Sequence, residues 1–240
     1  MRTRSSALLQ AALLGAALGV LGLGCAPSPR SIEYAAKGDL PVTADGLHRI
    51  RSTRLNAVYL RPGSSFAGYD RILFDPVTVS YKRPPRKPTA ANRDRGNFAL
   101  PPADMERMKQ LFQQAFEAEI SKSEVFALAD APGPNVLRIA GHIVDLVVDA
   151  PPQRGSERSF VLKAGEMTLV LDVRDSETGE PLARVADRRA VQPASGGPGS
   201  LYYSTAPRTW GEVERRFRLW AAILREGLDT LKDLPDVPQP

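Results

Sequence analysis

The chain has 240 residues, a formal net charge of +5 and a single cysteine, Cys25. One cysteine excludes an intramolecular disulfide, and so small an excess of charge falls short of the strongly basic signature of a nucleic-acid-binding protein. The 21 prolines call for long irregular segments between the regular ones.

Residues 1–24 read as an export signal. Arg2 and Arg4 give a positive start, and from Ala7 to Gly24 only Gln10 interrupts a run of Ala, Leu, Val and Gly. A spanning helix needs about 20 strongly apolar residues, and this run is short and glycine-rich by comparison. Its position and flanks fit a secretory signal.

The run ends in Gly22-Leu23-Gly24-Cys25-Ala26, the pattern of a lipobox. There a diacylglycerol is attached to the cysteine sulfur, and the small residue before it admits the peptidase. Gly22 stands where leucine is usual, with leucines at 21 and 23 instead. An ordinary signal with an incidental cysteine and an uncleaved anchor are the alternatives. Two or three acyl chains would hold the protein firmly, since one alone binds only marginally. Ala26 in place of Asp favours the outer membrane over the inner. The expected location is therefore the bacterial outer membrane, lipid-anchored at Cys25 and facing the periplasm.

Without its first 24 residues the 240-residue chain keeps 216, and without Arg2 and Arg4 its charge falls from +5 to +3. That length suits one domain with a proper core. Residues 25–53, with Pro27, Pro29, Gly38, Pro41 and Gly46, read as a tether; a packed arm from Leu47 onward is the alternative. Residues 54–234 are expected to form a single globular domain and 235–240 a tail.

Within the domain, residues 55–60 predict a short strand ended by Arg61-Pro62-Gly63. Residues 70–81 are β-branched and aromatic, with Pro76 marking a bulge or an edge. Residues 82–100 gather Lys82, Arg83, Arg86, Lys87, Arg93 and Arg95 against Asp94. They are expected to be a mobile basic loop, either simply solvated or touching an anionic surface. Met105, Met108, Phe112, Ala115, Phe116 and Ile120 lie at helical spacing, which predicts an amphipathic helix over 104–122 with Asp104 as its N-cap.

A long strand over 135–149 follows. Residues 166–175 and 182–191 form a hairpin around Ser176-Glu177-Thr178-Gly179-Glu180. Residues 193–208 are expected to be an exposed loop whose Tyr202 and Tyr203 either lie against the domain or meet a partner. Thr209 to Glu212 reads as a capping box opening a second helix over 210–233, with a stripe through Val213, Phe217, Trp220, Leu224, Leu228 and Leu231. This order implies an α+β fold: a mostly antiparallel sheet with two amphipathic helices packed on one face.

A search for chemistry finds little. The two histidines are His48, in the arm, and His142, mid-strand. A nucleophile elbow, a phosphate loop, a His-Glu-x-x-His motif and a Cys/His cluster are all absent from the sequence. The expectation is no catalytic residue, no metal and no cofactor.

The segments Tyr59-Leu60-Arg61-Pro62-Gly63, Ile72-Leu73-Phe74-Asp75-Pro76-Val77, Gly165-Glu166-Met167-Thr168-Leu169 and Asp175-Ser176-Glu177-Thr178-Gly179 resemble the bacterial lipoprotein family catalogued as domain of unknown function 3313, over about residues 45–232. The resemblance implies an envelope lipoprotein and no catalytic residue. The expected function is a non-catalytic accessory protein. Its membrane contact is through N-terminal acyl chains, and an envelope protein partner meets the Tyr202–Tyr203 or the Arg83, Arg86 and Lys87 loop; nucleic acid is not a partner. The alternative is an auxiliary that carries lipid in an apolar cavity between helices and sheet.

Overall fold

A computed structural model describes residues 32–35, 41–51, 54–87, 89, 96–149, 159–161, 165–191, 202–204 and 206–240, with the backbone alone for 159–161, 202–204 and 206–208. The elements in chain order are β1 (His48–Ile50), β2 (Ala57–Leu60), β3 (Arg71–Phe74), β4 (Thr78–Tyr81), α1 (Pro102–Ile120), β5 (Ala127–Leu128), β6 (Val136–Val148), β7 (Ser159–Val161), β8 (Gly165–Asp175), β9 (Pro181–Val191), β10 (Tyr202–Ser204) and α2 (Ala206–Lys232).

Eight strands form one mixed sheet in the order β1-β2-β9-β8-β6-β3-β5, with β4 also on β6. Its centre is antiparallel. β8 runs beside β6 and β9, and the turn between β8 and β9 closes where Asp175 Oδ1 accepts from the amides of Glu177 and Thr178. The chain between residues 70 and 81, expected as one strand, is two. Pro76 cannot donate to a ladder, so pairing stops after β3 and resumes at β4. Both pieces run parallel to β6, at Val136–Ile139 and then from His142 to Leu146. The parallel sense follows from the connection, since the chain returns to β6 only after crossing through α1.

Residues opposite one another across a ladder point to the same face. Burial alternates strictly along β8, with Gly165, Met167, Leu169, Leu171 and Val173 inside. Gly141, Leu171 and Val185 form one row of that buried face, and Ile143, Leu169 and Asp187 form the next. The Phe112 ring of α1 lies on Gly141. Trp220 of α2 donates its indole N–H to Asp187 Oδ2 at 2.8 Å. Between them Phe112 stacks on Phe116 at 4.2 Å and meets Phe217 edge-on at 5.5 Å. Each such ring contributes about 1.5–3 kcal/mol by leaving water.

Asp187 is only 1% exposed and is fully satisfied. It accepts from the Asn56 amide at 3.0 Å and from Arg189 Nε at 2.6 Å as well as from Trp220. A buried carboxylate needs such partners, and here it ties the entry to β2, β9 and α2 together.

The helix starts differ from the sequence reading. α1 begins at Pro102 after Pro101, and a proline's missing N–H costs nothing in a first turn. Asp104 is therefore inside the first turn rather than the N-cap, where it meets the positive end of the helix dipole. α2 begins at Ala206, so Thr209 to Glu212 is helical and does not cap it. Glu212 is instead 4% exposed, bound by Arg215 and Arg216 at 2.8 Å.

Two boundaries also move. Much of the segment read as a tether is part of the sheet. Tyr34 and Val42 bridge to Ile50 and His48 along the outer side of β1, and Leu47 is fully buried. The segment read as a tail is likewise packed. Val237 is 2% exposed and exchanges backbone hydrogen bonds with Gly63 and Ser64 at 2.8 Å. Both arms lack an apolar period of their own, so only their tertiary partners order them.

Candidate functional site

The sheet face turned away from α1 and α2 carries a connected row of polar groups. Strand alternation sends His142 to this side because Gly141 and Ile143 face the helices. The register then sets Thr78 beside His142, and Asp172 beside Arg184. Thr78 Oγ1 is 2.8 Å from His142 Nδ1, and His142 Nε2 is 3.7 Å from Asp172 Oδ2. Arg184 Nε donates to Asp172 Oδ1 at 2.5 Å, and its Nη2 donates to Asp45 Oδ2 at 2.9 Å. The row ends where Thr43 donates its hydroxyl to Asp45 Oδ1 at 2.5 Å.

The Thr43 hydroxyl, with Arg184 behind it, holds the Asp45 carboxyl below the usual carboxylate range despite partial burial. Burial works against the Arg184 charge, but Asp172 and Asp45 outweigh it and raise its pKa.

Hydroxyl, imidazole and carboxylate in series call for comparison with a nucleophile–base–orienter triad. The geometry departs from one at the second link, because 3.7 Å is too long for a hydrogen bond. Asp172 is also neutralised by Arg184, and the hydroxyl lies on an exposed strand. What the row does is fasten the 43–47 hairpin to the middle of the sheet. Sequence reading placed His142 mid-strand and missed its partners; the alternation of β8 held the signal for Asp172.

The residues singled out from the sequence stand as follows. Arg83, Arg86 and Lys87 are exposed just after β4. Their segment is pinned at its stem: Arg86 and Phe98 form a bridge, and Phe98 is fully buried. The remainder of that basic loop, 88 and 90–95, lies outside the described residues. Tyr202 and Tyr203 belong to β10, paired with Val161 and Phe160 of β7 in a separate two-stranded sheet. They are thus in a strand and not in the loop expected over 193–208; their side chains are outside the described residues, as is Cys25.

Among the described residues no group of three or more His, Cys, Asp or Glu could hold a metal ion, and no helix is long and apolar enough to cross a membrane. The lipid-carrier alternative needs a cavity between helices and sheet. At Gly141 that space is taken by Phe112, whose ring leaves too little room even for a methyl group.

Fold and site together define an α+β domain with a mixed sheet, an aromatic core under two helices and a polar, ion-paired open face. The chain belongs to the family described as "Protein of unknown function (DUF3313)", whose model matches residues 43–224. No curated protein matches it. Among solved structures it is similar to the PelC dodecamer from Paraburkholderia phytofirmans, at 8% identity and a TM-score of 0.36, covering 70% of this chain and 96% of that one. Protein XCC0632 from Xanthomonas campestris, of the DUF330 family, gives 14% identity and a TM-score of 0.37, covering 70% and 87%. The hypothetical protein CT253 from Chlamydia trachomatis gives 12% and 0.36, covering 67% and 98%. No functional conclusion follows from likeness at this level.

Proposed function

We propose that the protein is a non-catalytic accessory lipoprotein of the bacterial cell envelope, anchored by acyl chains on Cys25 in the outer membrane and facing the periplasm. The observation that carries this reading is the leader of residues 1–24, positive and then apolar and ending in a small residue, followed directly by the chain's only cysteine, Cys25. The domain supplies surfaces for an envelope protein partner, with Arg83, Arg86 and Lys87 and the β7–β10 ladder as the first places to test. The open-face ion pairs support a binding or structural role more readily than catalysis, since every charge in the row already has a partner.

Mass spectrometry of protein extracted from membranes tests the anchor. The expected result is an N-terminal peptide that begins at Cys25 and carries diacylglycerol plus one further acyl chain. A Cys25→Ser chain should lose both the modification and the membrane fraction. An unmodified Cys25, or a Cys25→Ser chain that stays in the membrane fraction, refutes it.

A further inference from the structure

We infer that the domain meets the phospholipid surface with one particular edge of its sheet, the β1 edge covered by residues 32–35 and 41–43. This rests on the anchored reading above. Cys25 precedes Ile32 by seven positions. A chain of that length spans at most about 25 Å, so an acylated Cys25 keeps Ile32 within that distance of the headgroups.

Ile32 begins a segment that is fixed to the sheet. The Ala35 amide donates to the Arg49 carbonyl at 2.9 Å, and the Arg51 amide donates to the Glu33 carbonyl at 2.7 Å. Tyr34 meets His48 edge-on at 5.9 Å and donates its hydroxyl to the Pro238 carbonyl. The anchor's reach is therefore passed on to a defined part of the fold.

Strand order then separates the two edges. β1 and β5 stand at opposite ends of the sheet, six strand spacings apart, or about 29 Å. Charge leans the same way. Arg49, Arg51 and Arg54 gather near β1, opposed there by Glu33 and by Glu226, which pairs with Arg54, whereas Glu119, Glu124 and Asp130 flank β5, offset by Lys122 and by Arg71 opposite Ala127. The ion pair of Arg51 with Glu33 is more than half exposed on both sides. Such pairs are weak, which lets the guanidinium exchange its carboxylate for a lipid phosphate. Val42, 45% exposed beside β1, offers an apolar contact at the same edge.

The test uses the full acylated protein in vesicles of phosphatidylethanolamine and phosphatidylglycerol. A fluorophore is placed through Val42→Cys in one sample and Leu128→Cys in another; the two sites are similarly exposed, at 45% and 42%, and the thiol of Cys25 is blocked by its lipid. Headgroup-proximal quencher lipids should quench the label at 42 about threefold more strongly than that at 128, given the separation of about 29 Å. Replacing Arg49, Arg51 and Arg54 by Gln should reduce quenching at 42 in these vesicles and leave it unchanged in vesicles without phosphatidylglycerol. Equal quenching at both sites, or stronger quenching at 128, overturns the orientation while leaving the anchor intact. A residue-25 peptide without acyl mass overturns the anchor and the orientation with it.

Discussion

Gly141 is the tightest point of the helix–sheet interface, and replacing it by Ala tests the packing most directly. A methyl group there would stand 2.6 Å from Cζ and 2.9 Å from Cε1 of Phe112. Ordinary contact needs about 3.5 Å, so the ring would have to retreat by about 1 Å. It has little freedom to do so, because Phe116 lies stacked on it and Phe217 meets it from the side. Overpacking of this kind costs about 1–3 kcal/mol, partly offset by the roughly 0.5–1 kcal/mol that Ala gains over Gly inside a strand. The net loss should be about 1–2 kcal/mol, which in a domain of this size lowers Tm by roughly 2–8 °C. Urea and thermal unfolding of the Cys25→Ser form, with and without Gly141→Ala, measure it. Adding Phe112→Leu should relieve part of the penalty, so that the double variant is more stable than the two separate losses would make it. A Gly141→Ala protein as stable as its parent, or strictly additive losses, would refute the close contact.

Three further outcomes follow from the same structure. Asp187→Ala strands the Trp220 indole N–H and leaves Arg189 without its carboxylate in a site 1% exposed; a loss of about 2–4 kcal/mol is expected in urea unfolding followed by tryptophan fluorescence, with Asp187→Asn losing less. Asp175 is held below the usual carboxylate range, first by the Thr178 amide and also by the Thr178 and Tyr69 hydroxyls, and Asp45 is held low by Thr43 and Arg184. The unfolded chain binds those protons more readily, so stability is full above about pH 4 and falls as pH drops further. Asp175→Asn and Asp45→Asn should each flatten that acid limb in equilibrium unfolding, and an unchanged slope would count against the cited hydrogen bonds. Finally, Arg184→Met cuts the open-face row at its centre. Amide exchange should then quicken at residues 43–50 and stay slow at Leu169–Val173, whereas uniform quickening would mean that the row holds more than the hairpin.

Local periodicity made several elements legible before any tertiary contact was known. The 3.6-residue stripe through Met108, Phe112 and Phe116 and that through Phe217, Trp220 and Leu224 describe a helix wherever the chain goes. The alternation from Met167 to Val173 describes a half-buried strand, and Asp175 to Gly179 carries its own turn chemistry. The proposed leader and Cys25 are equally local, because an export signal of this kind is a linear pattern of charge, apolar run and small residue. These features determine an α+β domain and its expected compartment.

The remainder is decided by pairing between distant residues, which no local pattern encodes. β5 has two residues and β1 three, too few to show a period, and each exists because a neighbouring strand satisfies its backbone. The parallel placement of β3 and β4 on β6 depends on the crossover through α1. Asp104 and Thr209 carry the side chains of helix caps, yet both helices start earlier because prolines fit first turns. The open-face row joins Asp45, Thr78, His142, Asp172 and Arg184, residues scattered through the chain that only sheet register brings together. Sequence alone could thus determine which side of a long alternating strand such as β8 is apolar; only the folded sheet, by fixing register, could decide which polar groups share the other side.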